Sequence, residues 1–327
     1  MRRISTLAAA GGVLASLLAG CSSDDAADRL ADARPRQVAG TELWAQLPTG
    51  RVTVTVGDPV TTIPGDEVAG GDAIEAGDGH AFRPVQVAYD DLAGVPWNAP
   101  QDPAVEPGDL TRLTLDVGED SARVPFGDGS GRSYVEVARD AGSDLALEVE
   151  FDGVAQRVDA AGRREAGDAQ GLYDDLTTPG RLSSCGEQAA DRPEGAPAAV
   201  GRTCEYDLWS YPWLEGLGWA SKRTSGATWV VATARTWVRA DELRAGGEHC
   251  EAAGLQGATT LSVDGREPDE ELTAKSFPVS GGRQLLEQDA FALPAASRHR
   301  LRITSTFRCR FSGETVDLPL VTTVTVP

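Results

Sequence analysis

Between Arg300 and Phe311 the chain alternates almost without fault. Leu301, Ile303, Phe307, Cys309 and Phe311 share one parity with Ser305, and Arg300, Arg302, Thr304, Thr306, Arg308 and Arg310 take the other. A period of two places successive side chains on opposite sides of a pleated strand, so this stretch predicts an antiparallel sheet with one dry and one wet face. The pattern recurs upstream in Val52, Val54 and Val56, in Val85, Val87 and Tyr89, and in Leu113, Leu115 and Val117. Gly, Pro and Asp separate these runs, and few runs of helical period interrupt them, so the expected class is all-β.

Two sets of marks recur in the same order and suggest an internal duplication. Tyr89-Asp90 followed by Pro96-Trp97 returns as Tyr206-Asp207 followed by Pro212-Trp213, and Phe151-Asp152-Gly153 returns as Phe311-Ser312-Gly313. The expected organisation is two tandem β-sandwich domains, 41–165 and 166–327, the second with an insertion at about 214–260. Size and strand count resemble immunoglobulin-like domains. The first half has no cysteine, so an inter-sheet disulfide cannot define both.

The N-terminus predicts an address. Arg2 and Arg3 precede an apolar stretch from Leu7 to Leu18, shorter than the roughly 20 residues that a membrane span needs. Leu18-Ala19-Gly20-Cys21 closes it. This arrangement resembles the lipobox of bacterial lipoproteins, and the scarcity of Lys and Asn beside abundant Ala, Gly, Asp and Arg suits an actinobacterial source. The resemblance implies a signal peptide over 1–20, acylation of Cys21, a tether over 21–40 and a body outside the cell on the membrane surface.

Removing that leader takes away two arginines and moves the formal charge from −20 to −22. Such a body repels nucleic acid and anionic lipid leaflets, so the membrane is expected as a partner only through the lipid on Cys21. Four cysteines remain: Cys185, Cys204, Cys250 and Cys309. In an exported chain they read as two disulfides, with Cys185–Cys204 closing a Gly/Pro-rich loop and Cys250–Cys309 tying the insertion to a core strand.

No cofactor or metal motif is legible, and no catalytic residues are assigned. His80, His249 and His299 are scattered, and Cys-x-x-Cys, G-x-S-x-G and Walker patterns are missing. Acidic clusters such as Asp90-Asp91, Asp174-Asp175 and Glu267 with Asp269, Glu270 and Glu271 arise freely among 50 carboxylates. Aromatic residues are more concentrated. Trp209, Tyr211, Trp213, Trp219, Trp229 and Trp237 stand close together in the second half and form the expected binding surface for an envelope polysaccharide or an exported protein.

Outward-facing Glu148, Glu150 and Asp152 in the first half also contrast with Arg300, Arg302, Arg308 and Arg310 in the second, a pairing that would bias assembly. The reading is therefore a lipid-anchored, non-catalytic binding or structural module. A hydrolase using Asp or Glu and a transporter's substrate-binding lipoprotein are the alternatives.

Overall fold

The computed structural model describes residues 29–91, 93–95, 106–127, 131–140, 144–174, 182–185, 203–245, 248–251, 254–296, 298–311 and 313–326. The signal segment, Cys21 and Trp97 lie outside these residues. The fold is all-β: antiparallel sheets joined by turns, with a four-residue helix at Pro107–Leu110, helical backbone at 29–31 and a few 3-10 turns among the described residues.

In the first half, β1 (Gly40–Leu47), β2 (Gly50–Gly57), β3 (His80–Asp91) and β6 (Gly131–Ala138) form one sheet in the order β1-β2-β3-β6. A second sheet holds β4 (Thr111–Val117), β5 (Asp120–Val124), β7 (Leu145–Phe151) and β8 (Val154–Asp159) in the order β8-β7-β4-β5, extended beyond β8 by Arg164–Glu165. The inward parities predicted from the valine and leucine alternation meet here. Leu43, Val52 and Val54 pack with Leu113, Leu115, Leu147 and Val149 in one buried cluster.

The second half contains β9 (Thr203–Tyr211), β10 (Ala227–Arg239), β11 (Gln256–Val263), β12 (Glu270–Val279), β13 (Gly282–Pro294), β14 (His299–Phe311) and β15 (Glu314–Val326). One sheet runs β9-β10-β13-β12, with Ser183–Ser184 beyond β9, and the other runs β11-β14-β15. Lettered A to G in chain order, these strands read ABED and CFG, the strand order of constant-type immunoglobulin sandwiches. The first half, lettered the same way, reads ABCF and EDGH. The two halves therefore differ in topology, and Tyr89 on β3 and Tyr206 on β9 occupy non-equivalent strands. The other repeated mark does land alike, since Phe151 and Phe311 both end a strand, pairing with Val154 and Glu314 at the start of the next.

Segment 214–260 corrects an expectation. The part that forms β10 is not an insertion, because β10 pairs with both β9 and β13 in the middle of its sheet. The physical reason is the small apolar face of Val230, Ala232 and Ala234, which packs against Leu261, Ile303 and Phe291. A polar step separates this cluster from the one around Leu285, Phe307 and Leu318. There Thr259, Ser305 and Thr236 form a hydrogen-bonded chain, 3.0 Å per contact, linking the two sheets. This chain accounts for Ser305 on an otherwise apolar parity, because each buried hydroxyl finds a partner.

Both disulfides form as paired from the sequence: Cys185–Cys204 with Cα atoms 5.3 Å apart and Cys250–Cys309 at 5.7 Å. Neither reproduces the B-to-F bridge of antibody domains. The expected tether also ends earlier than residue 40. Ala33 is fully buried beside Ile63, Val68, Phe82 and Tyr134, and Arg36 pairs with Asp66 at 2.8 Å. Leu30 and Ala33 supply apolar area that this corner of the first half buries.

Candidate contact surface on the second half

The sequence-predicted aromatic surface divides into a buried end and an open end. Trp209, Tyr211 and Trp229 project from the outer face of the sheet β9-β10-β13-β12, where Trp209 faces Val231 and Tyr211 faces Trp229 across β9 and β10. The first half and segment 213–223 together cover this end, leaving Trp209 and Tyr211 1% exposed and Trp229 fully buried, its Nε1 donating to the Gly218 carbonyl at 2.8 Å. Between the halves, Trp213–Leu214 pairs with Gly218–Trp219, and these two tryptophans are only 5% and 1% exposed.

Their polar atoms are satisfied across the seam. Trp219 Nε1 donates to the Phe151 carbonyl at 2.9 Å, Trp213 Nε1 to Asp152 Oδ2 at 3.0 Å, and Tyr211 Oη to the Pro48 carbonyl at 2.6 Å. Burial pushes the Tyr211 phenol above its ordinary pKa. Phe151 receives both indoles edge-on, at centroid separations of 5.4 and 6.4 Å. Five of the six residues expected to form the contact surface, Trp209, Tyr211, Trp213, Trp219 and Trp229, are thus core and not surface. Large apolar rings on a sheet face are worth more buried against another layer, about 4–6 kcal/mol each in gross transfer energy, than left wet.

Trp237 is the sixth, and it stands at the open end. β10 carries it on the same parity as Trp229 but eight residues on, past the edge of the first half. It pairs with Thr203 on β9 and Gln284 on β13, and the adjoining row is Glu205, Arg235 and Leu286. Thr203, Glu205, Arg235, Trp237 and Gln284 line a shallow depression of about 270 Å³. Arg235 and Glu205 neutralise one another at 3.5 Å while both stay partly exposed. The half-buried Trp237 has no ring or cation partner among the described residues, whereas Trp44, also half-buried, is stacked by Arg51 and Arg164 at 4.5 and 3.6 Å. Trp237 therefore offers an unclaimed aromatic surface beside a hydroxyl, an amide, a guanidinium and a carboxylate. That set can stack on an apolar ring face and hydrogen-bond its polar rim. Parity in β10 revealed which side Trp237 takes; no sequence signal showed which end of the sheet would be covered.

The titratable groups are distributed differently. Glu287 and Asp289 share the inward parity of β13 with Leu285 and Phe291 and are 7% and 1% exposed. Burial, reinforced by Glu271, pushes Glu287 up to about 7 and Asp289 up to about 6. Asp289 Oδ1 has no hydrogen-bond partner among the described residues. The three histidines remain apart in function: His80 and His249 contact the backbone carbonyls of Asp78 and Asp241, and His299 holds Asp264 at 2.8 Å. His299 and the Arg300 amide keep the Asp264 carboxyl below its usual range, against the opposing effect of its partial burial. Among the described residues no group of three His, Cys, Asp or Glu side chains is placed to hold a metal ion.

The expected acidic stripe of the first half is engaged at two of its three positions. Arg112 pairs with Glu150 at 2.7 Å, Arg157 lies opposite Glu148 and pairs with Asp116 at 2.5 Å, and Asp152 sits in the β7–β8 turn against Trp213 and Lys222. Cross-strand pairing satisfies Glu150 locally, while Glu148 stays exposed with no ion-pair partner among the described residues.

No family model and no curated protein matches the chain. Among solved structures, a conserved domain protein from Bacillus anthracis is similar over 87% of this chain and 91% of its own, at 9% identity and a TM-score of 0.24. The N-terminal periplasmic domain of ScsB from Proteus mirabilis is similar over 87% of this chain and 99% of its own, at 9% identity and a TM-score of 0.14.

Proposed function

We propose that the protein is a lipid-anchored, extracytoplasmic binding module that uses the Trp237 depression to hold a polysaccharide of the cell envelope. The observation that carries the reading is the contrast within one aromatic cluster. Five of its members are consumed by packing, and Trp237 alone keeps free ring surface among polar side chains with unspent hydrogen-bonding capacity. Two disulfides support an oxidising compartment, in line with export and with acylation of Cys21. The raised carboxyls of Glu287 and Asp289, the best acid–base pair on chemical grounds, lie between the sheets, which favours binding over hydrolysis.

A neutral-glycan array tests the site. The mature chain is expected to bind at least one polysaccharide, and Trp237→Ala to weaken that binding about tenfold without changing the unfolding midpoint, since loss of one stacking contact is worth about 1–2 kcal/mol. Binding that survives Trp237→Ala overturns the assignment. The anchor is tested separately by intact-mass analysis of protein from membranes, in which an unmodified Cys21 would refute it.

A further inference from the structure

The opposite face of the second half carries a second feature that the Trp237 depression does not explain. On the outer side of β11-β14-β15, β14 presents Arg300, Arg302, Arg308 and Arg310, all exposed, with Thr304 and Thr306 between them. Only Asp317 on β15 brings a carboxylate to the outward parity of these three strands, and Arg308 takes it, Nε to Oδ1 at 2.8 Å and Nη2 to Oδ2 at 3.1 Å. The side chains of Arg300, Arg302 and Arg310 have no hydrogen-bond or ion-pair partner among the described residues. Asp264, at the end of the stripe, is engaged by His299 Nδ1 and the Arg300 amide. A chain of formal charge −20 thus keeps three cations unneutralised along one strand.

We propose that this arginine stripe is a docking track for a linear acidic polysaccharide. Charge complementarity and shape select this occupant. Arg300 and Arg310 are ten residues apart on one strand, so the track is about 33 Å long and one strand wide. Unpaired guanidiniums match carboxylates in a two-pronged geometry, and the intervening threonines match the hydroxyls that a sugar chain also presents. A planar anionic membrane fits less well. It would bring its charge against the acidic body as well as the stripe, and the face carries no aromatic wedge to enter lipid. A second copy fits less well because Glu150 and Asp152 of the first half's stripe are already engaged by Arg112 and Lys222, which leaves it Glu148 alone.

The test uses the detergent-solubilised full chain and sodium polygalacturonate, with dextran and phosphatidylserine-containing vesicles as comparators. Polygalacturonate is expected to bind at low salt and to weaken as salt rises, while dextran binds no better after the arginines are removed. Arg300→Ser, Arg302→Ser and Arg310→Ser together should weaken polygalacturonate binding about tenfold, since three exposed charge contacts are lost. Asp317→Asn, which frees Arg308 without touching the core, should strengthen it two- to threefold on the same scale. Trp237→Ala should leave it unchanged, which separates this track from the depression on the other face. Polygalacturonate binding unaffected by both the triple change and Asp317→Asn overturns the proposal, as does tighter binding to the vesicles than to the polymer. Loss of self-association in place of polymer binding would assign the stripe to a second copy and equally overturn it.

Discussion

Trp219 ties the two halves at a single atom as well as through its ring. Its indole nitrogen caps the Phe151 carbonyl at the end of β7, where the chain turns through Asp152 and Gly153 with φ of 46° and 71°. Positive φ at both positions suits a two-residue hairpin turn, and Asp152 tolerates it better than a branched residue would. Its carboxylate then accepts from Trp213 Nε1 and attracts Lys222. Trp219→Ala would remove the ring and its hydrogen bond to that carbonyl, and we expect a loss of about 3–5 kcal/mol in chemical denaturation. Trp219→Phe keeps most of the apolar area and should cost about 1–3 kcal/mol. Equal losses for the two variants would show that the hydrogen bond, and not the packing, carries the seam.

At the scale of elements, β13 shows how far alternation reaches. Parity alone groups Glu287 and Asp289 with Leu285 and Phe291, yet charge argues for a wet side, and the two cues conflict in the sequence. The structure resolves the conflict in favour of parity, because β10, β11 and β14 fix that face inward through Val230, Leu261 and Ile303. The cost appears as two carboxyls whose folded pKa values, about 7 and about 6, lie above the 4.5 and 3.8 of the free groups. A raised acid binds more protons folded than unfolded, so its stabilising contribution is complete below about pH 4 and is lost as pH rises through 6 and 7. Stability measured by denaturant titration should therefore fall between pH 5 and pH 8, and Glu287→Gln with Asp289→Asn should flatten that slope. An unaltered slope in the double variant would place the titration elsewhere. The same reasoning explains what the sequence left open in β10. Its small face and its tryptophan face were both legible, whereas the covering of Trp229, by segment 213–223 together with the cluster shared with the first half, and the exposure of Trp237 have no signature within the strand itself.

For the whole molecule, the seam decides how the chain melts. Two tandem sandwiches with separate cores would unfold independently, as domains joined by modest polar interfaces do. Here a single buried cluster runs from Leu43, Val54 and Leu147 in the first half through Trp213 and Trp219 to Trp229, Val231 and Ala290 in the second. Four tryptophans and Tyr211 belong to that shared region, and on the first-half side the partners include the backbone carbonyls of Pro48 and Phe151. Exposing these rings costs each half alone about 4–6 kcal/mol per indole in gross transfer energy, which is comparable to the net stability of an ordinary domain. Calorimetry of the full chain is accordingly expected to give one transition whose calorimetric and van't Hoff enthalpies agree. A fragment ending near residue 174 should melt lower than the first half does within the full chain, because its seam face loses Trp213 and Trp219. Two resolved transitions, with the first half melting at the same temperature alone and in the intact protein, would mean that the shared cluster couples the halves only weakly. In that case Trp219→Ala should lower one transition without moving the other, and the pair of experiments together locates the cooperative unit.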